Sequence, residues 1–154
     1  MENVFSYLKW RGDLDFNIAE FNSIDNIIFS ALSYLKLNMK EEEILTLEEV
    51  YKEYKIGENA SNIFYKNVEK LFNLVQESKR FKSVKIARYK RVIDKNIEEQ
   101  FGAVTFILPN DILYVAFSGT DESVIGWKEN FKNKYPYSSL LGWYYRINKV
   151  VWDY

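Results

Sequence analysis

Two apolar runs, Phe101–Leu108 and Ile112–Phe117, are separated only by Pro109-Asn110-Asp111, and they constrain the fold of this chain more than any other feature. Their β-branched and aromatic content and the Pro-Asn-Asp break between them read as a hairpin. A strand with one wet face alternates apolar and polar residues, whereas these two are apolar at nearly every position. Strands of that kind are covered on both faces and belong centrally in a sheet.

Upstream the period is helical. Residues 3–10 have apolar spacing suited to a helix, and over 21–35 Phe21, Ile24, Ile27, Ile28, Ala31, Leu32 and Leu35 recur at steps of three and four, which places them on one face. The loop between these helices holds Gly12, Asp13 and Asp15, ordinary turn chemistry. Thr46-Leu47-Glu48-Glu49 is a capping box that predicts a helix to about Lys55, ended by Gly57. Ser61 is the N-cap expected for the next helix, whose stripe is Phe64, Val68, Leu71, Phe72 and Val75. From Ser83 the period changes to two, and Val84, Ile86, Val92 and Ile93 predict a strand ahead of the hairpin. After it, a helix is expected from about Ser123 through Trp127 to Phe131, and Leu140, Leu141, Tyr144, Ile147 and Val151 could make one more. The fold class is α/β, with leading helices, a central hairpin or meander, and a strand-loop-helix; no internal repeat or Pro-rich linker divides it.

At 154 residues, 47% of them hydrophobic, the chain can bury roughly two-thirds of its unfolded surface without staples. It has no cysteine, which excludes disulfides, thiolate zinc sites and a cysteine nucleophile, and no histidine, the usual general base near neutral pH. No Ser-His-Asp or Cys-His arrangement can be assembled from these residues. Residues 1–78 carry 8 basic and 14 acidic groups and residues 79–154 carry 13 and 8, so the halves are oppositely charged while the whole is near neutral. A pI of about 5.7 argues against a dedicated nucleic-acid binder. The apolar runs fall short of the about 18 residues a membrane span needs. The start of the chain lacks the basic and apolar regions of a secretory signal, so a cytoplasmic location is the expectation.

The join Ser118-Gly119-Thr120-Asp121 leads from a buried strand into a predicted helix. Backbone amides and a hydroxyl at such a join point over the C-terminal edge of a sheet and suit an oxyanion hole. Equally, Gly-Thr-Asp is a normal strand-to-helix connection with Thr or Asp as N-cap. Phe117-Ser118-Gly119-Thr120-Asp121, followed by Gly126-Trp127-Lys128-Glu129-Asn130-Phe131, resembles the Phe-Arg-Gly-Thr strand end and Trp-containing helix of class 3 lipases. It is closer still to a lipase-like family of bacterial proteins. Phe5, Tyr7-Leu8-Lys9-Trp10-Arg11-Gly12-Asp13, Phe21-Asn22, Asp25-Asn26 and Gly102-Ala103-Val104-Thr105-Phe106 add to the likeness, which covers about residues 3–132.

The resemblance implies the N-terminal part of an α/β-hydrolase-like domain over 1–132 with a divergent aromatic-rich tail over 133–154. It also implies serine ester hydrolysis of lipase or esterase type on an acyl ester substrate, without a cofactor or metal. Thr120 would supply an oxyanion-hole donor, Gly119 the tight turn and Asp121 the fixing of the loop. Against the pattern, the family's arginine is Ser118 here, and neither a Gly-x-Ser-x-Gly elbow nor a histidine follows. The expectation is therefore the N-terminal portion of a lipase-like hydrolase, cut short by a premature stop or frameshift and not catalytic as this chain. The alternative is a non-enzymatic binding or scaffold module using the same half-fold.

Three other clusters have plainer readings. Lys79, Arg80, Lys82, Lys85, Arg88, Lys90, Arg91 and Lys95 could attract phosphates, but an edge strand guarded by charge explains them better. Glu41, Glu42, Glu43, Glu48, Glu49 and Glu53 lack a calcium-loop pattern and read as a solvated helical surface. Asp13 and Asp15 read as turn residues rather than a glycosidase carboxylate pair. The tail, with seven aromatics in residues 133–154, is either an interaction surface, including possible self-association, or improvised cover for a sheet edge.

Overall fold

The predicted hairpin forms, and the register of its two strands sets which side chains meet the helices. The computed structural model describes residues 4–57, 63–94 and 99–118. In chain order these form α1 (Val4–Arg11), α2 (Ser23–Leu32), β1 (Leu45–Thr46), α3 (Leu47–Glu53), α4 (Ile63–Glu77), β2 (Lys85–Asp94), β3 (Glu99–Leu108), a 3₁₀ turn (Pro109–Asp111) and β4 (Ile112–Phe117). The four strands make one antiparallel sheet in the order β1-β2-β3-β4. The class is thus mixed α and β. The described sheet contains no parallel strand pair, so it does not show an α/β-hydrolase relationship.

The start expected at Thr46 holds, while α2 begins at Ser23, after the expected Phe21. Asn22 caps α2 by accepting from the amides of Ile24 and Asp25 at 2.9 and 3.4 Å, while the Asp25 carboxylate accepts from the Asn22 amide at 3.0 Å. Thr46 and Glu49 form the expected capping box on α3, and the hydrogen bond from the Thr46 backbone holds the Glu49 carboxyl below its usual range. The C-terminal ends differ from expectation. α3 stops at Glu53 because Tyr54 is already extended, and Gly57, at φ +91°, belongs to the loop beyond. That loop is tied down by Glu69 of α4, which accepts from the Tyr54 hydroxyl at 2.9 Å and the Gly57 amide at 3.1 Å. Ser61 and the helices expected after Ser123 lie outside the described residues.

β1 was not expected. Two residues long, it pairs Leu45 with Ile86 and Thr46 with Lys85, and has too few positions to show a period. β2 carries a bulge: Ala87 opposes Thr105 and Lys90 opposes Ala103, which leaves Arg88 and Tyr89 across from Val104. Arg88 takes the left-handed conformation, φ +52°, that this requires. The bulge brings Tyr89 to the chain after α2, where its hydroxyl donates to the Leu35 carbonyl and accepts from the Leu37 amide, both at 3.1 Å.

Alternation sends Val84, Ile86, Val104, Phe106, Leu108, Tyr114 and Ala116 to one face, where they join buried residues of all four helices in one core. Phe29 is fully buried in the middle, with its ring 4.6 Å from Phe106, 5.3 Å from Tyr114, 5.5 Å from Phe81, 6.1 Å from Phe21 and 6.4 Å from Phe16. The other face carries the paired positions Ala103 with Phe117, Thr105 with Val115 and Ile107 with Leu113, and none of these belongs to that core. The expectation of a hairpin covered on both faces and central in its sheet is therefore corrected. Among the described residues β4 is an edge strand, and the helices cover one face only.

Three core hydroxyls have a consequence at high pH. Burial raises the pKa of Tyr7, Tyr89 and Tyr114 above the ordinary 10.0. The folded state keeps these groups protonated where the unfolded chain ionises them, so their contribution to stability is present below pH 10 and is lost as pH rises through the folded-state values. Spectrophotometric titration of the 12 tyrosines should show a late group that ionises steeply and together with unfolding. A single ordinary curve centred near 10, with the fold intact, would contradict this.

Candidate functional site

The polar residues of the N-terminal motifs converge on one buried cation. The Arg80 side chain is fully buried, and its Nε and Nη2 donate to Asp25 at 2.9 and 2.6 Å. Its remaining donors reach the carbonyls of Leu14, Ala19 and Glu20 at 2.9, 2.8 and 3.0 Å, and the guanidinium lies 4.0 Å from the Phe16 ring centre. Asp25 also accepts from the Tyr7 hydroxyl at 3.1 Å, and Asn22 donates to that hydroxyl at 2.7 Å. Every partner is internal, so the cluster pins the loop between α1 and α2 to the end of α4 and offers nothing to a substrate.

That pinning shapes a groove beside it. Gly12 follows α1, and its carbonyl accepts from the Arg80 amide and the Ser78 hydroxyl, both at 2.9 Å. A Cβ at Gly12 would lie 2.3 Å from the Leu8 carbonyl oxygen in the last turn of α1, so the turn that ends α1 needs glycine, and 3.1 Å from the Ser78 Oγ, a tight contact with the end of α4. Between them lies an open cavity of about 570 Å³. Its floor is Phe5, Leu8 and Leu74, and its rim carries Lys9, Asp13, Glu77 and Lys79. Lys70 lies 5.2 Å over the Phe5 ring and Lys79 is 3.9 Å from Asp15 at the surface. Ser78 donates its hydroxyl proton to the Gly12 carbonyl. Chemically the groove can hold an apolar group between charges of both signs.

The residues expected to carry chemistry fare differently. Gly119, Thr120 and Asp121 lie outside the described residues. Ser118 is the last described residue before them: its amide donates to the Gly102 carbonyl at 3.0 Å, and a Cβ at Gly102 would come within 2.0 Å of its Oγ. Glycine at 102 thus makes room for the Ser118 side chain. The basic run is dispersed, with Arg80 buried, Arg91 donating to the Tyr34 carbonyl at 3.2 Å and Lys90 3.7 Å from Glu41. Asp15 closes a turn, accepting from the Asn17 and Ile18 amides at 2.9 and 3.2 Å. Glu43 accepts from the Lys40 amide at 2.8 Å in a turn ahead of β1, so Glu41, Glu42 and Glu43 are not on the expected helical surface, whereas Glu48 pairs with Lys52 at 3.3 Å on α3. Among the described residues no three carboxylates gather into a metal site.

The β-strand half of this arrangement has a counterpart among known families. Residues 75–140 match the family model described as Mbeg1-like. The Mbeg1-like match covers fewer than half of the residues; it starts in the last turn of α4 and includes Ser78, Lys79, Arg80 and strands β2 to β4. It is to a family of its own and to no lipase or α/β-hydrolase family. This overturns the resemblance to class 3 lipases and their bacterial relatives, together with the lipase and esterase assignments drawn from it. The structure explains part of the likeness: Tyr7, Asn22 and Asp25 serve the buried arginine, a structural task that implies no reaction. No curated protein and no solved structure matches the chain. No helix among the described residues is long and apolar enough to cross a membrane.

Proposed function

We propose that this chain is a non-catalytic binding module whose ligand seats in the groove between α1 and α4. The observation that carries this reading is the groove's makeup: Phe5, Leu8 and Leu74 line it together with two lysines and two carboxylates. Its size falls within the range of about 300–1,000 Å³ typical of ligand sites. An apolar floor rewards burial of a large side chain, and the mixed rim favours neighbours of both charges over a polyanion. The ligand class is accordingly a peptide segment that presents one aromatic or branched apolar residue between charged ones. Serine chemistry is disfavoured because the chain has no histidine to act as base.

Selection of displayed random peptides on the full chain tests the proposal. Enriched peptides should share an apolar anchor and should lose at least about tenfold in affinity against Leu74→Glu, the scale of one buried apolar side chain. They should bind Ile44→Lys, altered at an exposed position outside the groove, as they bind the parent. Indifference to Leu74→Glu, or stoichiometric labelling by a serine-reactive fluorophosphonate that a single Ser→Ala change abolishes, would refute the reading.

A further inference from the structure

The second face of the β3–β4 hairpin is apolar without a partner among the described residues. Phe101, Ala103, Thr105 and Ile107 of β3 share it with Leu113, Val115 and Phe117 of β4, and Thr105 is the one polar side chain of the seven. Phe101 and Phe117, 39% and 42% exposed, meet edge to face at 6.2 Å across the strands at the end where β4 leaves the sheet. All four helices lie on the opposite side. A face of this composition is an association surface until something closes it.

We infer that residues 119–154 of the same chain close this face. The segment starts one residue after Ser118, at the corner of the sheet that Phe117 occupies. Its 36 residues include Ile125, Trp127, Phe131, Leu140, Leu141, Trp143, Tyr144, Ile147, Val151 and Trp152, an apolar supply matched to an apolar face. A six-residue strand spans roughly 20 Å, a distance that about 13 helical or six extended residues cover, so the length suffices in either conformation. Attachment at the rim decides between occupants: a tethered segment meets the face at an effective concentration on the order of millimolar, far above that of a second copy at micromolar protein. This inference is independent of the groove, which lies on the helical side.

The chain has no cysteine, so a probe can be placed at one position without background. Val115→Cys carrying a benzophenone maleimide is irradiated in the full chain and the adducts are mapped by mass spectrometry. The expected result is adducts within one chain, on residues 119–154, with none on that segment from a probe at Ile27→Cys on the helical side. Adducts joining two chains would assign the face to a second copy, and a probe that captures only solvent would leave it open; either outcome overturns the inference. Should Val115→Cys fail to fold, the same probe goes at Thr105→Cys, its cross-strand partner.

Discussion

Arg80→Met is expected to lose about 3–5 kcal/mol of unfolding free energy, the usual cost of removing one partner of a buried ion pair. The loss is large against the 5–15 kcal/mol that holds a typical domain together. Its cause here is specific. Methionine fills much of the volume but leaves the Asp25 carboxylate buried without its cation, and leaves the carbonyls of Leu14, Ala19 and Glu20 without the donors at 2.8–3.0 Å that now satisfy them. Arg80→Lys should recover less than half, because an ammonium cannot present a planar fork to Asp25 and reach three carbonyls as well. Urea unfolding followed by circular dichroism reads both variants, and a loss below 1 kcal/mol for Arg80→Met would mean that the hub is dispensable.

A double variant separates this hub from a simple ion pair. Elsewhere, replacing both partners of a buried pair by apolar residues is often neutral. Arg80→Met with Asp25→Leu should stay close to the worse single variant, because Asp25 also caps α2 through the Asn22 amide and accepts from Tyr7. Because the Arg80 guanidinium holds the Leu14 and Ala19 carbonyls in the chain that follows Gly12, loosening the hub should widen the α1–α4 groove. Peptide affinity in the groove should fall in Arg80→Met even at temperatures where the variant remains folded.

What the sequence reveals of this fold divides by the range of the interaction that decides it. The pairing of the hairpin, the Thr46 capping box and the Val68, Leu71, Phe72 and Val75 stripe of α4 are written in neighbouring residues and appear as the pattern has them, although Phe64 of that stripe is 36% exposed. The bulge at Arg88 leaves no such mark, since nothing in Lys85–Asp94 singles out an arginine for a left-handed conformation; the reason, Tyr89 reaching Leu35 and Leu37, lies some fifty residues away. Arg80 is the clearest case. Within a run of basic residues it looks like one more surface charge, and only the return of the 12–25 segment makes it the most enclosed cation described. The groove was illegible for the same reason: Phe5, Leu8 and Leu74 look like core residues of two separate helices, and Gly12 looks like a turn. The resemblance to lipases drew in part on Tyr7, Asn22 and Asp25, whose observed task is to hold the buried arginine.

Phe29→Ala should cost about 3–5 kcal/mol, the range for removing a fully buried phenylalanine, and should do so by detaching the sheet from the helices. α2 meets β3 and β4 through this ring, which touches Phe106 and Tyr114 on the strands and Phe81 after α4. Tyr114 adds polar ties to the same helix, through Ser30 at 3.1 Å and through the Asn26 side chain. Those hydrogen bonds depend on the ring contact for their geometry, so the alanine variant should weaken them too and fall toward the upper end of the range. Ile27→Ala on the same helix is the control: Ile27 is 50% exposed and its truncation should stay within about 0.5 kcal/mol. Phe29→Leu keeps most of the volume and should cost roughly half as much, which keeps the comparison possible if the alanine variant does not fold. A Phe29→Ala cost no greater than that of Ile27→Ala would mean that the strands hold their place without α2.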